Sequence, residues 1–270
     1  MAMKFDLSIS VVLSNSSRES LNKLLQCIAR CKLTHQVYLV DNSSSPALKS
    51  ESEINGYNYI FNKRNLGYGR GHNLALKSSL SDSKYHLVIN PDVFFLEDTL
   101  EKLFLFMEEN PDVGMVLPKV YDVHSRIQYL AKRLPDPFDL ILRRLNLRLV
   151  TQLFQSRLER YEMREKDYDA TFRAAFLSGC FMFIRTESIQ KVGLFDERYF
   201  MYMEDVDLSR RIGRQYKNVY LPTVSIFHEH TRGSYKNLRL LRIHAISAIR
   251  YFNKWGWIWD LERRRINNSL

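Results

Sequence analysis

Glu204, Asp205 and Asp207 fall within four residues of the segment FDERYFMYMEDVDLSRRI, where an aromatic approach gives way to a helical pattern. Acidic residues suit a first helical turn, since the dipole and free N–H groups there favour negative charge. The approach from Tyr199 to Met203, however, would carry Glu204 and Asp205 into a partly buried place, where carboxylates are costly unless used. A second stretch, LVINPDVFF at residues 87–95, breaks an apolar run with Asn90, Pro91 and Asp92. Pro91 stiffens the chain there, and Asp92 offers the hard oxygen ligand that Mg2+ or Mn2+ prefers. Asn-Pro-Asp is also ordinary turn chemistry, and the triplet alone favours the turn, so other residues must decide. A third stretch, NKRNLGYGRGHNLAL, places Gly67, Gly69 and Gly71 before a helix whose free N–H groups could meet an anion. It lacks the Gly-Lys-Ser/Thr ending of a phosphate-binding Walker loop and the glycine spacing of a dinucleotide fingerprint, so a plain loop and a phosphate loop both stay open. In IFHEHTRGS, His228 and His230 follow a strand, where one could serve a metal or phosphate and either could be a surface residue.

These residues need elements to hold them. LSISVVL reads as a buried strand, followed by Ser16 and Glu19 as a capping box ahead of Leu21, Leu24, Leu25 and Ile28 at helical spacing. QVYLVDN is a strand ending in Asp41, YNYIFN a third, GRGHNLALKSSL the start of a helix, and YHLVIN another buried strand. Asp98 and Glu101 are placed to cap a helix carrying Leu100, Leu103, Phe104 and Met107. Such alternation predicts an α/β fold with a parallel, doubly wound sheet and ligands at the carboxyl ends of its strands, where Asp41 and Asn90–Asp92 fall. Residues 126–173, rich in arginine among Leu, Phe and Ile, read as irregular helices.

A 270-residue chain that is 45% apolar and 26% charged can bury a full core, as one large domain or one with an appendage. Cys27, Cys31 and Cys180 form an odd, sparse set without metal-ligand spacing, which fits free thiols in a reducing compartment. No apolar stretch reaches membrane-spanning length and no signal-peptide pattern opens the chain, so a cytoplasmic, non-integral protein is expected. The net charge of +10 implies an anionic partner. No recognised nucleic-acid motif accompanies it, so nucleic acid is not the expected one.

Taken together, VVLSNSSRESL, VDNSS, NLGYGRGHN, LVINPDV, LSGCFMFIR, VGLFDERYFMYMEDVDLSRRI and HEHTRGS resemble, in order and over about residues 8–235, the inverting family 2 glycosyltransferases of GT-A fold. The likeness is greatest to rhamnosyltransferases of bacterial O-antigen and surface polysaccharide synthesis. The resemblance implies a GT-A, Rossmann-like, mostly parallel sheet flanked by helices over residues 1–235. Residues 1–118 would form the nucleotide-sugar half, 119–235 the acceptor and catalytic half, and 236–270 a helical appendage. It implies that Asp41 holds the pyrimidine of the donor, and that Asn65, Gly67, Arg70 and Asn73 line the nucleotide. Asn90 and Asp92 occupy the place of the family's Asp-X-Asp, with Asp92 and His228 toward a Mg2+ or Mn2+ ion. Asp205 matches the catalytic base, Glu204 a group positioning acceptor or base, and Gly179 the acceptor side. Asn90 departs from the family's first aspartate, and an amide is a weaker ligand for a hard ion. The implied donor is dTDP-L-rhamnose, with UDP-hexoses behind it, and the implied acceptor a saccharide on a polyprenyl diphosphate. A sugar-nucleotide pyrophosphorylase would need a Gly-rich, basic loop after the first strand, which is absent; a non-catalytic nucleotide-sugar-binding protein would share the same motifs.

The last segment, YKNLRLLRIHAISAIRYFNKWGWIWDLERRR, projects Lys236, Arg239, Arg242, Arg250 and Lys254 on one helical face and Leu238, Leu241, Ala245, Ala248, Ile249 and Phe252 on the other. That pattern fits either a helix docked by its apolar face or one lying on an anionic membrane surface, and Trp255, Trp257 and Trp259 favour the surface. The expected location is peripheral, on the inner face of the cytoplasmic membrane.

Overall fold

The strand on which the sheet is built is β1 (Phe5–Leu13), which lies between β2 (His35–Asp41) and β4 (Ser83–Ile89) and runs parallel to both. The computed structural model describes residues 3–14, 16–46, 56–145, 153–229 and 238–270. Leu7, Ile9, Val11 and Leu13 take one face of β1 by the period of two, and Ser8 and Ser10 the other. Buried hydroxyls are costly unless bonded. Ser8 and Ser10 share hydrogen bonds with the two ring nitrogens of His86 at 2.7 and 2.8 Å, and Ser10 also meets His72 Nδ1 at 2.7 Å. Burial drives both imidazoles down, His86 to about 3, so this polar seam is neutral.

β3 (Asn58–Phe61) adds to β2, so the first four strands in space, β3-β2-β1-β4, are all parallel, as the alternating pattern predicts. The other half of the nine-stranded sheet is mixed. β10 (Phe181–Arg185) runs antiparallel between β4 and β6 (Val113–Tyr121), and β11 (Lys217–His228) lies parallel to β6. β5 (Val93–Phe95) and β8 (Phe172–Arg173) pair antiparallel with β11, while β7 (Ala131–Lys132) and β9 (Phe176–Leu177) form a separate ladder. The reversal of β10 matters for the site. Its first residue, Phe181, pairs with Ile89 at the carboxyl end of β4, so Gly179 and Cys180 lie against Asn90, whose N–H donates to the Cys180 carbonyl at 2.9 Å.

Helices α1 (Arg18–Ile28), α2 (Tyr68–Ser79), α3 (Thr99–Glu109) and α6 (Thr186–Val192) accompany this sheet, and two of the expected caps differ in detail. Ser17, not Ser16, caps α1, accepting from Ser20 N at 3.5 Å, while Glu19 pairs with Lys23. Asp98 precedes α3 in the left-handed region and makes no cap bond; Lys32 draws it away, its Nζ donating to Asp98 and its N–H to Glu101. Residues 126–173 hold α4 (Pro137–Leu145) and α5 (Gln155–Tyr161), but also β7 and β8, because short extended pieces there complete ladders with distant strands. The 118/119 boundary falls inside β6, which runs through Pro118.

The C-terminal helices, α8 (Leu238–Trp255) and α9 (Leu261–Asn268), are anchored to α7 (Glu204–Ile212) by charge. Lys254 reaches Asp207 and Asp196 at 2.7 and 2.9 Å, and Arg250 donates to the Arg198 carbonyl. Lys254, at the lower end of the basic face, is therefore turned toward α7, while Arg250 stays exposed. Of the six apolar residues assigned to the opposite face only Phe252 is buried, and Leu238 and Ile249 are exposed. Trp255 is partly buried, its Nε1 donating to Asp207 and its ring under the Arg210 guanidinium at 4.2 Å. Lys236 and His230 lie outside the described residues. Arg210 is a deeply buried charge: its side chain is 1% exposed and forks onto both oxygens of Asp260 at 2.6 and 2.7 Å. Removing one partner of such a pair strands the other, so Asp260→Ala should cost about 3–5 kcal/mol in urea unfolding. A loss under about 1 kcal/mol would show that Glu262 alone suffices for Arg210.

Candidate active site

The carboxylates at the start of α7 come from a strained approach. Tyr202 and Met203 both have φ near +69°, a left-handed conformation that is unfavourable for side chains of this size. This sharp entry drops Glu204 and Asp205 into the protein: Glu204 is 4% exposed. Asp205 is well served, accepting from Gly179 N at 3.0 Å and Val206 N at 2.9 Å. Among the described residues, Glu204 Oε2 is buried without a hydrogen-bond partner. Burial pushes the Glu204 carboxyl well above the usual range, and the Asp205 charge beside it pushes the same way. Burial raises Asp205 too, opposed by the Gly179 and Val206 N–H groups and by Lys132. Of the two neighbours Glu204 is raised the further, so it keeps a proton more readily than Asp205 does. Asp207 is not part of the group: it turns to Arg211, Lys254 and Trp255.

Two cavities meet at this place. One, of about 400 Å³, is lined by Glu204, Asp205, Gly179, Lys132, Arg143 and His228 among others. The other, of about 440 Å³, lies over the N-terminal end of α1 and is lined by Ser14, Ser20, Asn42, Asn65, Gly67 and Asp92 among others. Tyr68, Asn90 and Met201 line both and form the joint. Tyr68 OH donates to the Gly179 carbonyl, tying the head of α2 to the loop that holds Asp205.

Asp92 and His228 face each other, Oδ1 to Nε2, at 3.5 Å, because β5 pairs with the end of β11. Burial alone would lower His228, but Cys180 and Asp92 beside it outweigh that and hold it up to about 10. A carboxylate and an imidazole converging in a buried corner fit a Mn2+ or Mg2+ ion that takes its other ligands from water and phosphate oxygens. Ligation needs the imidazole neutral, so an ion entering there displaces its proton. Among the described residues, no group of three or more His, Cys, Asp or Glu side chains is arranged to hold a metal by itself.

Asn65, Gly67, Asn90, Asp92, Gly179, Glu204, Asp205 and His228 are thus brought together around the joint. Three expected donor residues are placed otherwise. Arg70 is paired with Glu197 at 2.8 Å, and Asn73 is doubly bonded to the backbone of Phe195 at 2.9 and 3.0 Å. Asp41 is 1% exposed, with its carboxylate taken by Ser43 N and Tyr59 OH. The glycines also act differently from a phosphate loop. Gly67 has φ +92° and lies where a Cβ would come within 2.2 Å of the Phe200 carbonyl; Gly69 and Gly71 sit inside α2 against Phe195 and Val12. The glycines serve packing, and the Tyr68 N–H is spent on the Phe200 carbonyl.

Residues 8–193 match the family model "Glycosyl transferase family 2". The chain belongs to that family. It is 30% identical over 182 residues to the N-acetylglucosaminyl-diphospho-decaprenol L-rhamnosyltransferase of Mycobacterium tuberculosis, covering 61% of this chain and 56% of the relative. It is 24% identical to the rhamnosyltransferase WbbL of Escherichia coli over 251 residues, 89% of this chain and 90% of that protein. In fold it is similar to GalNAc-T7, crystallised with UDP, GalNAc and Mn2+, with a TM-score of 0.63 at 13% identity over 96% of this chain and 50% of that one. It is also similar to S. aureus TarS, with a TM-score of 0.60 at 16% identity over 97% of this chain and 42% of that one. The family 2 glycosyltransferase spans just over half the length of its mycobacterial relative.

If Asp92 is the charged ligand, Asp92→Ala should weaken Mn2+-dependent nucleoside diphosphate binding at least tenfold, and Asn90→Ala less. Calorimetric titration with and without Mn2+ checks this; equal losses at both positions, or no metal effect, would make Asn90–Asp92 a structural turn.

Proposed function

We propose that this family 2 chain is an inverting glycosyltransferase, and that it moves L-rhamnose from dTDP-L-rhamnose to a saccharide carried on a polyprenyl diphosphate. The observation that carries the reading is the joint between the two cavities, with Asp92 and His228 at one side and Asp205 at the other. The nucleotide occupies the cavity over α1, where serine hydroxyls and the helix N-terminus receive negative charge. Asp92 and His228 would hold a divalent ion, which would supply charge neutralisation to the diphosphate leaving group. The acceptor hydroxyl enters from the other cavity and gives its proton to Asp205, whose carboxylate Gly179 and Val206 hold in one orientation. Attack then comes from the side away from the diphosphate, which inverts the anomeric centre. Protonated Glu204 donates to an acceptor oxygen and positions it. Rhamnose and the lipid-linked acceptor are favoured by likeness to relatives named for them.

Peripheral attachment to the inner face of the cytoplasmic membrane belongs to the same proposal. Ile258, Trp259 and Leu261 project together, Trp259 at 81% exposure, beside the basic turn Arg264 and Arg265. An exposed indole next to arginines suits an anionic head-group layer. No helix among the described residues is long and apolar enough to cross a membrane.

Asp205→Asn should lower turnover about 10²- to 10⁴-fold, the range for a lost general base, with donor affinity within about twofold of wild type. The donor is identified beforehand by thermal stabilisation across a panel of nucleotide sugars with Mg2+ or Mn2+. Near wild-type turnover in the variant would remove Asp205 from the chemistry.

A further inference from the structure

Lys132, on β7, is a cation that the proposed transfer chemistry leaves without a task. It is 4% exposed, lines the cavity of Glu204 and Asp205, and makes no ion pair with any described residue. Its Nζ lies 5.6 Å over the Tyr161 ring. Burial, and then the Arg143 charge, bring its ammonium down to about 7, while Glu162 and Asp205 oppose the drop. An ammonium buried this far, over an aromatic ring and without an ion pair among the described residues, is costly unless an anion meets it there. Arg143 enters the same cavity from α4, held by Glu162 at 3.5 Å and 5.8 Å from the same Tyr161 ring.

Beyond this cationic floor the walls change character. An apolar groove of about 290 Å³ runs between α4 and α8, with Ile141 on one side and Leu241, Ala245 and Ile249 on the other. Leu140 and His244 line both the groove and the cavity, so the two are continuous, and the His244 ring lies against Tyr202, tilted by 50° with centroids 4.8 Å apart. The groove is open because Lys254, Arg250 and Ser247 fasten α8 from its other face, leaving Ile141 and Ile249 half exposed. A cationic pocket running into an apolar channel complements one kind of molecule, an amphiphilic phosphate.

We infer that Lys132, with Arg143, receives the phosphate of the acceptor carrier, and that the groove between α4 and α8 takes the first isoprene units of its chain. This rests on reading the Asp205 cavity as the acceptor side and makes Lys132 a specificity-determining residue for it. A lysine suits the task as a compact point charge for phosphate. Fixing the carrier at two points, phosphate and chain, sets the distance from membrane to base and so selects which sugar hydroxyl reaches Asp205.

Farnesyl diphosphate is a suitable probe, since it carries the phosphate and isoprene units but no sugar and needs no donor. Its affinity for the full chain is compared with that of inorganic pyrophosphate and of farnesol, by titration calorimetry with Mn2+ and dTDP present. Farnesyl diphosphate should bind at least tenfold tighter than either fragment. Lys132→Gln and, independently, the surface variant Ile249→Glu should each weaken it at least tenfold, while Lys132→Arg restores affinity to within about threefold, because charge rather than shape is read. Thermal unfolding midpoints show that each variant is folded, and Ile249→Glu, at an exposed position, carries the test should Lys132→Gln not fold. Unchanged affinity in both variants, or pyrophosphate binding as tightly as farnesyl diphosphate, would overturn the inference. A protein that binds farnesyl diphosphate this way but no nucleotide would contradict the proposed function and leave this site standing.

Discussion

Two carboxylates on consecutive residues, Glu204 buried and Asp205 partly buried, cannot both be charged without a large cost. That constraint organises the protein around α7. Gly179 and Val206 offer N–H groups to Asp205 alone, and Glu204 Oε2 has no hydrogen-bond partner among the described residues. The difference in hydrogen bonding favours charge on Asp205 and a proton on Glu204, and it depends on the backbone entering α7 through two left-handed residues. Strain of that kind, of order 1–3 kcal/mol per residue, persists only where surrounding structure over-determines it. Here the restraint is visible: Tyr68 is bonded to Gly179, Ser247 donates to Met201 at 2.8 Å, and Gly67 admits the Phe200 carbonyl.

The far end and outer face of α7 explain why the last 33 described residues are bound to the rest by charge. Asp207 collects Arg211, Lys254 and Trp255, and Arg210 collects Asp260 and Glu262. The helix that presents Glu204 and Asp205 is therefore also the helix that holds α8 and α9. Removing 253–270 as a test of membrane attachment would strand Arg210 in the interior, so substitution at the exposed Trp259 is the cleaner probe. The same anchoring leaves much of the apolar side of α8 open, so α8 is not docked by that face, one of the two arrangements its helical projection allows.

Much of the site was legible because its chemistry sits in short contiguous stretches at element ends. Asn90–Asp92 follows a buried strand, Glu204 and Asp205 open a helix, and His228 closes a strand, so local pattern and position suffice. Arg70 misled because direction along a helix was not resolved by the motif: Tyr68 faces the cavity, and two residues on the chain has turned about 200° toward Glu197. Asp41 ends its strand as expected, yet Tyr59 on the neighbouring strand claims its oxygen. Lys132, Arg143 and His244 carried no signal of their own. Each reaches the cavity from a different element, and only the β7–β9 ladder and the placement of α4 against α8 bring them together. The mixed half of the sheet was hidden for a related reason, since β10 reads as an ordinary buried strand and its direction is set by long-range pairing.

The division of charge between Glu204 and Asp205 is the centre of this account, and carboxyl 13C NMR measures it directly. With glutamate labelled at its carboxyl carbon and Glu204 assigned by comparison with Glu204→Gln, its resonance should stay in the protonated range through neutral pH, because burial and the Asp205 charge raise its pKa. The sign carries over to stability. Proton uptake by folded Glu204 favours the native state below the ordinary carboxyl pKa, and that contribution is lost as pH rises through the raised one. Glu204→Gln should therefore gain in unfolding midpoint relative to wild type as pH increases. A Glu204 resonance that titrates near 4.5, with no such gain, would contradict the assignment and with it the role of Asp205 as the charged base.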